Sequence, residues 1–353
     1  MLDATQQQAI DRLYSDYDRS DSPGCALGIV QDGQLVYRRG YGMANLDHAI
    51  PNTSTTAFDI ASESKQFTAA CIALLMEDAQ LSLNTDIRRW VPAVPTFGTA
   101  ITLDHLIHHT SGIPDYHDRF TRSGLAENVL SQQELLDYAF QYDRLDFAPG
   151  ERCSYSNTGY LLLAVVVQQI AGMPFGRFLH EHILQPLGMR NTLVHDNPNM
   201  IIPRRAFAYT RGPNGGWQMN VSWNQTVPGD GKMFSTIEDL ALWDQNFYEP
   251  KIGHGQFCQT MLTRGRLNDG TPCNYAFGLD LGEFAPAECC GHRIITHGGG
   301  CGGFESLLLR LPEVQLSLIL LCNTRDRRFR TSAAEIVNIV LNAPAFRTKE
   351  EST

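Results

Sequence analysis

Residues 57–76 read AFDIASESKQFTAACIALLM, and this stretch decides the fold that we expect for the chain. Its first four residues are typical of a short strand, and an apolar segment with helical spacing begins at Phe67. Ser62 therefore stands at a helix N-terminus, where free N–H groups and the helix dipole favour negative charge on its oxygen. Lys65 lies one turn further along, on the same side, and a desolvated amine there can accept the serine proton. An N-cap serine and a solvated lysine are the simpler interpretation.

Two further segments carry groups that fit this chemistry. Tyr155-Ser156-Asn157 precedes a predicted helix, where a loop can aim a phenol and an amide into a cleft. A phenol beside a protonated lysine can ionise below its usual pKa of about 10, although a turn tyrosine and an N-cap asparagine give the same pattern. Residues 296–304 read THGGGCGGF. These glycines favour a main chain that something approaches closely, such as an edge strand whose N–H groups bind a carbonyl oxygen.

Other reaction types find little support. Residues 298–303 contain a G-x-G-x-x-G pattern, but a strand pattern follows it, which argues against a dinucleotide site. The pair Cys289-Cys290, with His292 nearby, has no second pair at ligand spacing, so we predict no bound metal. We also expect no organic cofactor. Three clustered histidines are interpreted as structural or hydrogen-bonding residues, namely His105, His108 and His109.

The ends of the chain predict strands, whereas the middle predicts helices. Asp32-Gly33 joins two short apolar runs and indicates a hairpin, because its turn requires positive φ. A second hairpin is predicted around Pro312, one helix over about residues 4–19 and another near the C-terminus. We therefore predict an α+β fold, with an antiparallel sheet built from both termini and flanked by helices. Residues 1–61 and 200–353 would form the sheet domain and residues 62–199 a mainly helical lobe, with the active site at their interface. The helices predicted in this lobe are 67–76, 103–107, 132–140 and 158–171.

Composition excludes several classes of partner. The 353 residues carry a formal net charge of −10 without a basic stripe, so we expect no nucleic-acid partner. The N-terminus does not read as a signal peptide, and no apolar stretch approaches the about 20 residues of a membrane span. Nine scattered cysteines favour a reducing setting. We expect a cytoplasmic protein without a membrane partner, or a periplasmic or secreted one if a leader was removed. The oligomeric state stays open.

Taken together, the motifs S-x-x-K, Y-x-N and H-x-G, in this order and at these separations, resemble the family of serine β-lactamases and D-alanyl-D-alanine carboxypeptidases. The chain is most similar to the branch of class C β-lactamases, D-aminopeptidases and related carboxylesterases. The resemblance extends over nearly the whole chain. It includes residues 106–114, 149–150, 186–189, and 234–236 with 239–243.

The resemblance implies a role for each matching residue. Ser62 attacks a carbonyl and becomes acylated. Lys65 and Tyr155 take its proton and pass it to the leaving group, and which of them is the base stays open. Asn157 positions either the substrate's acyl amide or the lysine. His297 takes the place of the lysine of most β-lactamases, and it implies activity that depends on pH near the usual histidine pKa of about 6.5.

The glycines of the third motif carry the remaining assignments. The backbone N–H groups of Ser62 and Gly300 would form the oxyanion hole, where one donor is commonly worth about 3 kcal/mol. Gly298 and Gly299 are assigned to substrate binding. Gly298 replaces a threonine whose hydroxyl, in the carboxypeptidases and β-lactamases, helps to bind a carboxylate. Arg293 is a weak candidate for a neighbouring arginine.

We therefore expect hydrolysis through an acyl-enzyme, without a cofactor, of a small D-amino-acid amide or short peptide, or of a carboxylic ester. Loops at residues 115–128 and 212–231 are expected to line the pocket with aromatic side chains, although surface loops explain them equally well. The alternatives are a β-lactamase or penicillin-binding carboxypeptidase, an acyltransferase, a slowly deacylating penicillin-binding sensor and a degenerate binding module. The aromatic residues assigned to substrate binding are Tyr116, Phe120 and Trp223.

Overall fold

A five-stranded antiparallel sheet forms the centre of the fold. The computed structural model of the protein describes residues 2–117, 131–141, 144–221, 227–282 and 291–342. β1 (Cys25–Gln31) pairs with β12 (Leu316–Cys322) along its whole length, so that strands from the two ends of the chain meet in the middle of the sheet. The predicted α+β fold, with its sheet built from both termini, is thereby confirmed. In spatial order the strands are β10 (Ile295–Cys301), β11 (Phe304–Leu311), β12 (Leu316–Cys322), β1 (Cys25–Gln31) and β2 (Gln34–Tyr41).

Two tight turns set the register of this sheet. Asp32 and Gly33 have φ angles of 49° and 75°, as the hairpin between β1 and β2 requires. A 3-10 turn over Pro312–Val314 connects β11 to β12. Both hairpins confirm the sequence prediction. β12 begins after Gln315, which has a left-handed φ of 46°.

Helices cover both faces of the sheet. β11 and β12 are buried along their whole length, as expected for strands with continuous apolar runs. α1 (Ala4–Leu13) and α9 (Arg327–Val340) pack on one face, in one apolar cluster with the strands. α7 (Ile237–Gln245) packs on the other face, where the main core lies.

The N-terminal helix is shorter than predicted, because it ends at Leu13 rather than near residue 19. The chain then turns, and the rings of Tyr14 and Tyr17 both lie against Phe329 of α9. Tyr14 also shares a hydrogen bond of 2.9 Å with Ser332 of the same helix. Contacts with a distant helix therefore position both tyrosines, which lie beyond the end of α1.

The middle of the chain forms the helical part, as predicted. α2 (Lys65–Glu77) and α5 (Asn157–Ala171) are largely buried and pack against each other. α5 begins after Ser156, whose side chain accepts a hydrogen bond from the Gly159 N–H, and ends at Gly172 with a φ of 62°. The other helices here are α3 (Leu103–Ile107), α4 (Gln132–Ala139) and α6 (Phe175–Leu187). Over the residues described above, no single helix has the length and apolar character to cross a bilayer, and α5 with α6 would pass only as a pair bent by 78°.

A second, small sheet connects the helical part to the main sheet. β5 (Phe58–Asp59) and β6 (Leu193–Val194) both pair with β9 (Met233–Ser235). α8 (Phe257–Met261) packs against α2, although its position in the sequence would assign it to the sheet domain. The division into two domains stays a prediction. The remaining strand pairs are β3 (Met43–Asn45) with β4 (Ile50–Pro51), and β7 (Tyr209–Arg211) with β8 (Trp217–Met219).

A buried ion pair ties α7 to the sheet. Arg310 Nε of β11 lies 2.6 Å from Asp244 Oδ1 of α7, and both side chains are at most 1% exposed. Ser317 donates a hydrogen bond of 2.9 Å to the same carboxylate oxygen. Burial raises the pKa of Asp244, although Arg310 and Ser317 act in the opposite direction. The pair therefore does not fully offset the cost of removing its charges from water.

We expect Arg310→Met to lower the free energy of unfolding by about 3–5 kcal/mol, because it leaves Asp244 buried without its partner. Adding Asp244→Leu should recover much of this loss, since the double variant has no buried charge at this place. Urea unfolding of both single variants, the double variant and the wild type gives the coupling energy. A double variant as unstable as the sum of the single changes would contradict this view of the pair.

Candidate active site

Ser62 lies in a short, strained 3-10 turn that leads directly into α2. Ala61 has a φ of 48°, a left-handed conformation that is costly for a residue with a Cβ atom. Asp59 supports this conformation, since its Oδ1 accepts a hydrogen bond of 2.8 Å from the Ala61 N–H. The Ile60 carbonyl accepts a hydrogen bond of 2.8 Å from the Ser306 hydroxyl of β11. The turn that carries the predicted nucleophile is therefore fixed to the sheet.

Lys65 is fully buried beside Ser62. Its Nζ lies 3.2 Å from Ser62 Oγ, 2.7 Å from Asn157 Oδ1 and 2.6 Å from the carbonyl oxygen of Asp230. Burial lowers the pKa of Lys65 to about 8, although Asp230 and Asp115 favour the charged form. A lysine with this pKa can lose its proton near physiological pH, as a general base must.

Tyr155 lies over the lysine, with its ring centre 4.9 Å from Lys65 Nζ. Its side chain is 44% exposed, yet the surrounding protein raises its pKa well above the usual value, mainly through burial, while a hydrogen bond with Ser62 lowers it. Water at the exposed part of the side chain weakens this shift. The raised pKa argues against the expectation that this phenol ionises below its usual value. In the resting site Tyr155 is protonated and can donate a proton.

His297 lies on β10 with both ring nitrogens occupied. Its Nδ1 is 2.7 Å from the carbonyl oxygen of Gly298, and its Nε2 is 2.8 Å from the Tyr275 hydroxyl. Because a carbonyl only accepts, Nδ1 carries the proton and Nε2 accepts from Tyr275. Burial, together with the charge of Lys65, lowers the pKa of His297 to about 3. The expected pH dependence from this residue near pH 6.5 is therefore wrong, since the ring is neutral throughout that range.

β10 is one of the two edge strands of the sheet and runs beside the 3-10 turn that carries Ser62. Thr296 exchanges backbone hydrogen bonds of 2.9 and 2.7 Å with Asp280 at the outer edge. Alternation along the strand directs the Gly300 N–H to this same edge, as an oxyanion hole requires. Gly299 allows the close approach, because a Cβ atom there would lie 2.2 Å from the Ile60 carbonyl oxygen. The assignment of Gly300 to the oxyanion hole stays a prediction.

An arginine of α9 lies beside the third motif. A Cβ atom on Gly298 would lie 3.1 Å from Nη2 of Arg330, which is half-exposed and forms an ion pair of 2.8 Å with Glu305. The weak candidate Arg293 instead donates its backbone N–H to Glu313 at 3.0 Å. The sequence analysis did not consider Arg330, because it reaches the strand from a helix more than thirty positions further along the chain.

The predicted aromatic lining needs one correction. Tyr116 is 4% exposed, and its hydroxyl donates a hydrogen bond of 2.6 Å to Asp230 Oδ2. It supports the segment whose backbone carbonyl contacts Lys65 and presents little surface to a substrate, so its assignment to substrate binding is corrected. Phe120 and Trp223 lie outside the described residues.

The three clustered histidines form hydrogen bonds within the fold, as the sequence interpretation expected. His105 caps the start of α3, and His108 contacts backbone carbonyl groups with both nitrogens. His109 lies beneath the site, where its Nδ1 accepts a hydrogen bond of 3.1 Å from the Ser156 N–H. Its ring centre is 4.4 Å from that of Tyr155. In the part of the chain that is described, no three His, Cys, Asp or Glu side chains group as metal ligands would, and Cys289 and Cys290 lie outside it.

Asp115, Asp230 and Tyr275 shape the site but were not singled out from the sequence. Asp115 Oδ2 accepts hydrogen bonds from the backbone N–H and from Nδ2 of Asn157, at 3.1 and 2.9 Å. Its place directly after the family-like segment 106–114 was a usable signal. The glycines on both sides of Asp230 were a weaker sequence signal, and Tyr275 lies in none of the three motifs.

Comparison with known proteins gives related sequences and structures over most of the chain. The family model for beta-lactamase matches residues 9–341. A penicillin-binding protein of Bacillus subtilis (strain 168) is 30% identical, over 84% of this chain and 67% of its own length. The D-aminopeptidase of Gluconobacter oxydans (strain 621H) is 25% identical, over 92% of this chain and 60% of its own length. The structure of the octameric penicillin-binding protein homologue from Pyrococcus abyssi aligns with a TM-score of 0.82 and 25% identity, covering 96% of this chain and 77% of that one. The chain thus spans 60–67% of the length of these two curated relatives.

The lowered pKa of Lys65 predicts how the site responds to pH. Because its folded-state pKa is about 8, the amine is protonated below this pH and neutral above it, so acylation of Ser62 should accelerate as pH rises through about 8. The sequence has four lysines, Lys65, Lys232, Lys251 and Lys349, so a pH titration of [ε-13C]lysine-labelled protein by NMR gives few signals. Lys65→Arg identifies the signal of Lys65. A titration midpoint above pH 10 would contradict this prediction.

For His297 we expect no contribution to the pH dependence of the acylation rate between pH 5 and 9. Since its ring is neutral above about pH 3, His297→Gln should leave the acid limb of the rate profile at the pH where Lys65 titrates. The measurement is the acylation rate of both proteins between pH 5 and 9. An inflection near pH 6.5 that disappears in the variant would instead mean that His297 titrates.

Proposed function

This chain belongs to the beta-lactamase family, and from that membership we propose that it is a serine hydrolase that cleaves a small amide or ester through a covalent ester on Ser62. The observation that carries the proposal is the contact of 3.2 Å between Lys65 Nζ and Ser62 Oγ, made by a lysine whose pKa is lowered to about 8. A nucleophile within hydrogen-bond reach of a base, which a third group orients, is the arrangement of covalent catalysis. Asn157 is that third group here.

The groups of the site account for each proton in this reaction. Neutral Lys65 accepts the Ser62 proton as Oγ bonds to the substrate carbonyl carbon. The N–H groups of Ser62 and Gly300 stabilise the negative charge that develops on the carbonyl oxygen. As the C–N or C–O bond breaks, the proton taken by Lys65 returns to the leaving amine or alcohol through the Tyr155 hydroxyl. Water, deprotonated by the same base, then attacks the ester carbonyl carbon; as the bond to Ser62 Oγ breaks, Lys65 returns the proton to Oγ and the acid is released.

Two observations support a D-amino-acid amide or short peptide, or a carboxylic ester, as the substrate. His297 is neutral where most β-lactamases carry a charged lysine, so the strand itself offers no positive charge to a substrate carboxylate. One relative is a D-aminopeptidase, at 25% identity.

Arg330 favours a second candidate, a substrate with a free carboxylate, such as a D-alanyl-D-alanine peptide or a β-lactam. Its guanidinium lies beside Gly298, where a side chain on the strand would otherwise stand. Glu305 holds it there through an ion pair of 2.8 Å. Arginine binds carboxylates through paired N–H donors, so a charge supplied by α9 can replace one on the strand.

We expect covalent labelling of Ser62 by at least one carbonyl substrate. Intact-protein mass is measured after brief incubation with p-nitrophenyl acetate, D- and L-alanine p-nitroanilides, a D-alanyl-D-alanine peptide and a penicillin, and product release is followed in parallel. Ser62→Ala is the control. Labelling or turnover that is equal in both proteins, or absent from both, would contradict the proposal. An adduct that persists indicates a sensor, and an adduct released faster by added alcohol or amine indicates an acyltransferase.

Arg330→Gln separates the two substrate classes. If a carboxylate binds beside Gly298, kcat/KM for the D-alanyl-D-alanine peptide or the penicillin should fall about tenfold more than for p-nitrophenyl acetate. One charge-assisted hydrogen bond is worth about 1.5–3 kcal/mol, and half exposure places this one at the lower end. Arg328→Gln is the matched control, because Arg328 pairs with Asp326 and Asp16 instead. Equal losses for charged and neutral substrates would exclude the carboxylate site.

A further inference from the structure

The three hydrogen-bond partners of Lys65 Nζ differ in what they can do, and this difference determines where the lone pair of the neutral amine points. Nζ contacts Asn157 Oδ1 at 2.7 Å, the Asp230 carbonyl oxygen at 2.6 Å and Ser62 Oγ at 3.2 Å. A carbonyl oxygen only accepts hydrogen bonds, whereas a hydroxyl can also donate. Two of the three partners therefore require an N–H from the lysine in either protonation state, and only Ser62 can take the remaining position of a neutral amine.

Asp115 fixes the orientation of the Asn157 amide on which this depends. Its Oδ2 accepts hydrogen bonds from Nδ2 and from the backbone N–H of Asn157, and its Oδ1 accepts one of 2.9 Å from the His117 N–H. N–H groups face both oxygens, as suits an ionised carboxylate that has no proton to donate. Asn157 must therefore turn its NH2 to Asp115 and its oxygen to Lys65.

We propose that Asp115 is a positioning residue that aims the lone pair of neutral Lys65 at the Ser62 hydroxyl. A neutral amine has two N–H groups and one lone pair. Asn157 Oδ1 and the Asp230 carbonyl use both N–H groups, so the lone pair faces the proton that must be removed. This inference rests on the proposed function, since it assigns Lys65 as the base of that reaction.

If position 115 has no hydrogen-bond acceptor, the Asn157 amide loses the group that orients it. Asn157 can then rotate its amide and present NH2 to Lys65. The lone pair accepts that N–H, and a lysine N–H turns toward Ser62 instead. The base is still present and still deprotonated, but it points in the wrong direction. A general base is commonly worth about 10²–10⁴-fold in rate, so misdirecting it should cost about 10–100-fold.

The negative charge of Asp115 has a separate effect. It favours the protonated form of Lys65, so its removal should move the acid limb of the rate profile to lower pH. Charge alone does not change the plateau at high pH, where the lysine is neutral. Orientation changes the plateau. The two roles are therefore separable by measuring the whole pH profile.

Three variants separate these roles. Asp115→Asn removes the charge but keeps an oxygen that can accept from Asn157. Asp115→Ala removes both, and Asp115→Leu, which is closer in size to aspartate, replaces it if the alanine variant does not fold. Asp115→Ala with Asn157→Asp restores a group at position 157 that can only accept from Lys65. Melting temperatures and the [ε-13C]lysine signal of Lys65 report on folding and on the lysine pKa without turnover.

The readout is the acylation burst with p-nitrophenyl acetate between pH 6 and 10, corrected with Ser62→Ala. We expect Asp115→Ala to lower the plateau about 10–100-fold and the double variant to recover at least about tenfold of it, with its acid limb at higher pH because a carboxylate now contacts Lys65. Asp115→Asn should lower the plateau by less than about threefold, with its acid limb at lower pH.

A plateau of Asp115→Ala within about twofold of the wild type, or a double variant as slow as Asp115→Ala, would overturn the proposal. A large loss of plateau in Asp115→Asn would do so too, since it would assign the effect to charge. Failure of the proposed function is distinguishable, because in that case the wild type itself shows no labelling that depends on Ser62.

Discussion

The site depends on the close packing of β10 against the 3-10 turn Ala61–Ser64, which carries Ser62. A Cβ atom at position 299 would lie 2.2 Å from the Ile60 carbonyl oxygen, so the contact exists only because this residue is glycine. The same carbonyl accepts a hydrogen bond from Ser306 of the neighbouring strand. This contact brings an edge strand from the C-terminal part of the chain against the start of α2. It thereby brings the strand that carries Gly300 beside the turn that carries Ser62.

Several ionisable side chains are buried in the structure, and their surroundings affect their charges in different ways. Lys65 remains partly ionisable, because acceptor oxygens surround its amine and its pKa is lowered only to about 8. Burial lowers the pKa of His297 and of His109, which lie near the same amine, so that both rings are neutral near pH 7. Arg310 is paired with Asp244 in the core. Lys65 is therefore a buried cation whose charge changes near pH 8, and the carboxyl group of Glu63, beside Ser62, also has its pKa raised by burial to about 8.

Positive charge near the third motif comes from a helix instead of from the strand. Gly298 leaves the space into which Arg330 of α9 extends, and Glu305 holds the guanidinium in place. A threonine at position 298 would bring its Cβ within 3.1 Å of that arginine. The sequence interpretation treated Gly298 as the loss of a hydroxyl that binds a carboxylate. In the structure this glycine makes room for Arg330, whose guanidinium can itself bind a carboxylate.

The sequence by itself determined the elements and the principal residues. The positive φ required at Asp32-Gly33, the apolar periodicity of α2 and α5, and the order of the three motifs are local properties, readable over a few neighbouring residues. Only the tertiary structure decided how those residues ionise and which groups orient them. The Asp230 carbonyl reaches Lys65 across 165 positions, and Tyr275 reaches His297 across 22. Burial of Tyr116, the low pKa of His297 and the raised pKa of Tyr155 arise from desolvation by distant segments. Desolvation depends on what surrounds a group in space, and no local pattern in the chain encodes it.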